Sequence, residues 1–106
     1  MSANLSTSAK AETTAGAARF SLGRLFLTPG AIEALEESRQ EPFEFLRRHQ
    51  LGDWGDLGNE DKRENEFSVN RALRILSKYH TSKGEALYVI TESDRSATTI
   101  LRPEEY

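Results

Sequence analysis

The 106-residue chain contains no cysteine, which excludes disulfide bonds, thiolate metal sites and a cysteine nucleophile. A small domain without disulfides is typical of the cytoplasm, and we expect a cytoplasmic protein. Histidine is scarce: His49 and His80 are the only two, and their spacing does not favour a zinc site. No apolar run approaches the length of a membrane span, so we expect no membrane partner.

A strong net charge is also missing, since 14 Lys and Arg face 17 Asp and Glu, for a net charge of −3. Proteins that bind nucleic acid through its phosphates usually present a basic face. The composition therefore argues against a nucleic-acid partner, although it does not exclude a local basic patch. A mildly acidic protein suits a basic protein partner.

The first 18 residues are rich in Ser, Thr and Ala and carry no aromatic residue or apolar period. Such a segment has almost nothing to bury, and we predict a disordered tail over residues 1–18. The remaining residues, 19–106, have the length and composition of one small globular domain.

Three short helices are predicted in the first half of this domain. Thr28 and Pro29 form a cap and first-turn pair, so a helix should begin there and end near Ser38 or Arg39. Glu41 and Pro42 begin a second helix by the same logic, and it should end where Gly52 adopts a left-handed conformation. A third helix is predicted from Asn59, as its cap, to Val69.

The apolar positions predict which helix faces are buried. Ile32 and Leu35 should share the buried face of the first helix. In the second helix, two faces compete. We favour burial of Phe43 with Leu46 over the alternative face that carries Phe45 and His49.

Alternating patterns predict the strands of the second half. The segments 73–79, 85–91 and 98–101 should form an antiparallel meander, because their connections are too short for crossovers. A further strand at residues 20–27 could join them. The predicted fold class is α+β, with short N-terminal helices followed by a three- or four-stranded antiparallel sheet.

The stretch GDWGDLGNEDKREN, residues 52–65, concentrates acids, glycines and the single tryptophan. No register through it places oxygen ligands, glycine and glutamate as a calcium loop requires, and we expect no metal and no cofactor. A turn followed by a capped helix is the simpler interpretation. Trp54 either plugs the edge of the core or anchors an interface. The candidate binding residues here are Asp53, Trp54, Asp56, Asp61, Lys62 and Asn65.

The predicted hairpin offers a different kind of site. A metal-free ribonuclease needs an acid, a base and a cation, and aromatic side chains could stack on a base. No spacing makes these residues special, so this nucleic-acid-binding or ribonuclease-like site is the alternative hypothesis. Its members would be Tyr79, His80, Tyr88, Glu92 and Arg95.

Three phrases of the chain, FSLGRLFLTPGAIEAL, LRRHQLGDWGDLGNEDKREN and RILSKYHTSKGEALYVITESDRSATTILRPEEY, together resemble a family of small bacterial proteins. Members are carried on plasmids and integrative elements, are mostly uncharacterised and are often labelled only plasmid-related. The resemblance covers about residues 20–106 and implies a bacterial, mobile-element setting. It implies no activity and no site residues.

The sequence therefore favours a non-enzymatic accessory protein of a mobile genetic element that acts by binding a protein partner. The sequence does not identify that partner, and it leaves self-association into a homo-oligomer open.

Overall fold

A computed structural model describes residues 17–106, so the predicted tail at 1–18 lies almost entirely outside the described residues. The fold is α+β, as predicted. Its elements, in chain order, are β1 (Arg24–Leu27), α1 (Pro29–Ser38), α2 (Pro42–Gln50), α3 (Asn59–Val69), β2 (Ile75–His80), β3 (Ala86–Thr91), β4 (Ala97–Leu101) and a 3-10 turn at Pro103–Glu105. Among these residues, no helix has the length and apolar character needed to cross a membrane.

The four strands form one sheet in the order β1-β4-β3-β2. The β2–β3 and β3–β4 pairs are antiparallel, which confirms the predicted meander. The β1–β4 pair is parallel, so the sheet is mixed and the prediction of a purely antiparallel sheet was wrong on this point. Short connections force antiparallel pairing only between strands that follow one another, whereas three helices and two strands separate β1 from β4.

Local signals place the helix ends as predicted for α1 and α2. The Thr28 side chain accepts from the Ala31 N–H at 3.2 Å and caps α1, which ends at Arg39 in the left-handed conformation. After α2, Gly52 adopts φ 90°, the left-handed geometry that glycine tolerates best.

The favoured buried face of α2 was wrong for Phe43 and right for Leu46, and the alternative face with Phe45 and His49 is buried. Phe43 is exposed, and the residues that α2 buries are Phe45, Leu46 and His49. At about 100° per residue, Phe45, Leu46 and His49 fall within an arc of about 100° on the helix, while Phe43 lies outside this arc. Ile32 of α1 is also exposed, although Leu35 is buried as predicted.

The core lies between the sheet and helices α1 and α2. Its buried members are Ala31, Ala34, Leu35, Phe45, Leu46, Tyr79, Leu87, Val89 and Ile100. A smaller cluster of Phe20, Trp54 and Ile75 closes one end. The alternation predicted for β2 is confirmed, since Ile75, Ser77 and Tyr79 are buried.

Candidate functional site

The stretch 52–65 covers one edge of the sheet. Strand β2 lies at that edge, and the backbone groups of Leu76 and Lys78 point away from β3. Asn65 Nδ2 donates to Leu76 O at 2.7 Å, and Asn65 Oδ1 accepts from Leu76 N at 3.2 Å. Lys78 N donates to Trp54 O at 3.2 Å, and Asp56 N donates to Lys78 O at 2.6 Å. The side chain of Asn65 thus imitates a strand backbone, and this edge has no free backbone groups at these two residues.

The glycine at position 55 makes this coverage geometrically feasible. Gly55 has φ 78°, and a side chain there would clash with the Lys78 carbonyl. Only glycine lets the loop backbone approach β2 closely enough to bridge it.

Trp54 plugs the edge of the core, as one of the two sequence interpretations held. It is 4% exposed, and its Nε1 donates to Glu66 Oε2 at 2.9 Å. Glu66 in turn forms an ion pair with Arg19 at 2.8 Å. The acceptor of the Trp54 indole N–H is therefore a carboxylate. Because Trp54 and Asn65 are both buried and hydrogen-bonded within the chain, neither presents its side chain to a partner.

The other candidates of this stretch are exposed or half-buried. Asp53 accepts from Arg48 at 2.7 Å, which is the main reason that its pKa lies below the ordinary value. Asp56 contacts His80 Nδ1 at 2.8 Å. Asp61 is exposed and Lys62 is half-buried. The structure therefore brings these residues to one side of the domain, where Asp53 and Asp56 are engaged with neighbouring side chains.

The predicted Asn59 cap was wrong. Gly58 occupies the cap position of α3, Asn59 is the first helical residue, and no side chain caps this end. The helix begins one residue earlier than the polar side chain suggested.

This difference provides a matched pair of variants. We expect Asn65→Ala to lower the free energy of unfolding by about 1–3 kcal/mol, since it leaves both backbone groups of Leu76 without their partner. Asn59→Ala should change it by less than about 0.5 kcal/mol, because Asn59 is exposed and makes no cap bond. Urea denaturation measures both. Equal losses in the two variants would contradict the role given to Asn65.

The alternative hairpin site is not assembled. His80 pairs with Ala86 at one end of the hairpin, while Glu92 follows the Ile75–Thr91 pair at the other end. Five residues of strand separate the two ends, about 17 Å. A base at His80 and an acid at Glu92 therefore cannot act on one phosphate.

The remaining hairpin residues have structural contacts. Tyr79 is fully buried, its hydroxyl donates to Asp53 O, and burial raises its pKa. Tyr88 packs edge-on against Tyr106 at 5.9 Å between ring centroids. Arg95 donates to five carbonyl oxygens, those of Ser68, Arg71, Leu73, Glu92 and Ser93.

A buried polar chain passes through the core and was not predicted. His49 and Ser77 are both 0% exposed, and His49 Nδ1 lies 2.6 Å from Ser77 Oγ. His49 Nε2 lies 2.9 Å from Thr91 Oγ1, which lies 2.7 Å from Thr98 Oγ1. Thr98 Oγ1 donates to Leu22 O at 2.8 Å. The sequence signal was the period-two placement of Ser77, Thr91 and Thr98 on inward positions.

The hydrogen bonds of this buried polar chain fix which ring nitrogen of His49 carries the proton. Because Thr98 donates to a carbonyl, it accepts from Thr91, and Thr91 then accepts from His49 Nε2–H. Nδ1 is left as an acceptor for the Ser77 hydroxyl. Burial, together with the charge of Arg95, lowers the pKa of His49 to about 3. His49 is neutral at physiological pH.

A serine hydroxyl beside a histidine is also the arrangement of a nucleophile and its base. Here both side chains are fully buried, so no substrate reaches Ser77 Oγ in this structure. The partner of His49 Nε2 is the hydroxyl of Thr91 rather than a carboxylate that could stabilise an imidazolium. The arrangement fits a satisfied polar core.

The opposite edge of the sheet is different. Strand β1 pairs with β4 alone among the described residues. Arg24 N donates to Ser96 O at 3.0 Å, and Thr28 N donates to Ile100 O at 3.1 Å. Backbone groups alternate in direction along a strand. The N–H and C=O of Phe26 therefore also point toward β4, whereas those of Leu25 and Leu27 point outward.

The side chains of β1 are also unusual for an edge. Leu25 is 48% exposed and Phe26 is 49% exposed, although they point to opposite faces of the sheet. Edge strands are commonly protected by lysine, proline or a covering segment. Within residues 17–106 no segment covers β1, while Asn65 and the Trp54–Asp56 backbone cover β2. The free edge, defined as the outward backbone groups of Leu25 and Leu27 with the side chains of Leu25 and Phe26, is the candidate functional site.

Ligands for a cation are not grouped in the described part of the chain. Across residues 17–106, no three His, Asp or Glu side chains are placed to hold one metal ion.

The resemblance to plasmid-borne proteins remains a prediction from the sequence phrases, with no site residues attached to it. A comparison of the chain with protein-family models, with curated proteins and with solved structures finds no match in any of the three.

Proposed function

We propose that this chain is a non-enzymatic binding protein that accepts an extended segment of a partner protein as a fifth strand beside β1. The mobile-element setting belongs to this proposal through the sequence resemblance alone. The single observation that carries the binding mode is the free edge. It combines outward backbone donors and acceptors with two exposed apolar side chains. Backbone pairing supplies affinity in this mode, and alternate side chains supply specificity.

The asymmetry between the two edges supports the proposal. The β2 edge is covered by Asn65 and by the loop around Gly55, at the cost of placing a left-handed glycine and a buried amide there. Comparable protection is missing from β1 in the described chain. An edge left apolar and unpaired is a hazard in an isolated protein and an asset in one that pairs with a partner.

Leu25→Pro tests the proposal directly. Proline lacks an N–H, and the Leu25 N–H points away from β4, so the variant removes a donor only from the free edge. We expect it to fold and to lose capture of the partner from a nuclease-treated bacterial lysate. Phe26→Pro is the matched control for stability, because it removes a bond to β4 and should cost about 1–3 kcal/mol.

Two further variants keep the test decisive. Leu25→Lys places a charge on the edge without changing the backbone and should also abolish capture. Phe67→Ser removes an equally exposed aromatic side chain on α3, near the opposite edge, and should capture as the wild type does. If Leu25→Pro folds and retains every captured protein, the free edge is not the binding site. Self-pairing of β1 would instead appear as a concentration-dependent dimer in sedimentation.

A further inference from the structure

A groove lies on the helix side of the free edge. It has a volume of about 330 Å³, and Leu27 of β1 forms part of its wall. Ile32, Leu35 and Glu36 of α1 line it as one helical stripe, Arg39 follows at the C-cap of the helix, and Gln40, Glu41 and Pro42 close it. Its apolar part therefore adjoins β1, and its charged part lies at the end of α1.

An added strand would reach this groove with alternate side chains. Leu27 packs against the main core and aligns with buried Ile100, so it faces the helix side of the sheet. Side chains of a paired strand stand on the same two faces as those of β1. Every second residue of an incoming segment would thus point toward Leu27 and Ile32.

The charge at the groove is predominantly negative. Glu36 and Glu41 line it against a single cation, Arg39, and Glu37 is exposed beside them. Within residues 17–106, the ion pairs involve other side chains, and none of these three carboxylates lies within 4.0 Å of a cationic group. An apolar wall that leads to these carboxylates matches a long side chain with an apolar stem and a cationic head.

We infer that the partner segment is basic and extended, and that it places a lysine or arginine in this groove. The stem lies along Leu27, Ile32 and Leu35, and the head reaches Glu36 and Glu41. This inference rests on the proposed function, because the backbone of the segment pairs with β1. It adds the chemical class of the partner, which the free edge alone leaves undefined.

Three synthetic peptides test it by fluorescence anisotropy. In each, threonine alternates with one other residue, which is arginine, leucine or glutamate. We expect the arginine peptide to bind at least about tenfold more tightly than the leucine peptide, and the glutamate peptide to bind most weakly. The preference should shrink at about 0.5 M NaCl, since exposed charges are then screened.

Two charge-reversed proteins provide the matched comparison. The double variant E36K/E41K should reverse the preference between the arginine and glutamate peptides. The double variant E60K/E64K changes the net charge equally on α3 and should keep the wild-type order. If E60K/E64K reverses it too, bulk charge explains the effect and the groove does not.

The outcomes separate this inference from the proposed function. Equal binding of all three peptides, abolished by Leu25→Pro, would overturn the basic partner and leave strand addition intact. Arginine-peptide binding that Leu25→Pro leaves unchanged would overturn both, since the groove would then act without the edge. If the wild type binds no peptide, the basic-segment inference fails, and capture from the lysate still decides strand addition.

Discussion

Lowering the pH from 6.5 to about 3 is expected to remove about 4 kcal/mol or more of stability through His49 alone. The histidine is fully buried between Ser77 and Thr91, and burial lowers its pKa from 6.5 to about 3. Protonation would place a charge in the core and would turn Nδ1 from an acceptor into a donor. Ser77 could no longer donate to it.

The direction follows from proton counting. Between pH 6.5 and about 3 the unfolded chain binds a proton at His49 and the folded chain does not. The contribution of His49 to the free energy of unfolding is therefore fully present above about pH 6.5. It falls by about 1.4 kcal/mol for each pH unit below that value. Asp53 and Glu66 have pKa values that are lowered by bonds to Arg48 and Arg19. They add to the loss of stability only below about pH 5, where carboxylates of the unfolded chain begin to bind protons.

Urea denaturation between about pH 6.5 and pH 5 isolates the effect of histidine, because most carboxylates titrate below this interval. His49→Gln should be less stable than the wild type at neutral pH by about 2 kcal/mol, yet its stability should be nearly constant over the interval. A wild type with constant stability there would contradict the buried neutral state of His49.

Replacing Arg95 by alanine is expected to cost about 2–4 kcal/mol, because one guanidinium joins parts of the chain that are distant in sequence. Its Nη2 donates to Ser68 O at 2.8 Å and to Arg71 O at 2.9 Å, at the end of α3. Its Nη1 donates to Leu73 O at 2.6 Å and to two carbonyls of its own turn. The last turn of α3 holds no basic residue, and Arg71, which follows the helix, donates to Phe67 O at 3.0 Å.

The stability change on replacing Arg95 has two contributions, one from its guanidinium and one from its backbone conformation. Its φ of 62° is left-handed, a conformation that costs a residue with a side chain about 1 kcal/mol relative to glycine. Arg95→Gly should therefore be more stable than Arg95→Ala by about this amount, although both lose the guanidinium. Arg74→Ala is the matched control, since Arg74 is exposed and its ion pair with Glu92 should contribute less than about 1 kcal/mol.

A loss below about 1 kcal/mol in Arg95→Ala would show that water replaces the guanidinium at these carbonyls. Arg95→Lys gives an independent reading. Lysine keeps the charge but lacks the planar fork, so it should recover less than half of the loss. Full recovery would mean that charge, and not the geometry of the fork, stabilises the end of α3.

Local signals in the sequence determined the helix starts at Pro29 and Pro42, the left-handed Gly52 and the three-stranded meander. Each depends on residues close together in the chain: a cap, a proline, or an alternation bounded by turn residues. Two predictions from the sequence were wrong: that Phe43 is buried, and that Asn59 caps the start of α3. Amphipathic patterns show that a helix has a buried face, but the position of the sheet decides which face that is.

Only the tertiary structure decided where the edges of the sheet lie and what covers them. The parallel pairing of β1 with β4 joins segments more than 70 residues apart, and no local pattern encodes it. The same applies to Asn65 against Leu76 and to His49 between Ser77 and Thr91. The sequence alone determined the elements and a small neutral-to-acidic domain. The free edge of β1 arises from long-range packing, because an edge exists only once every other strand has found its neighbour.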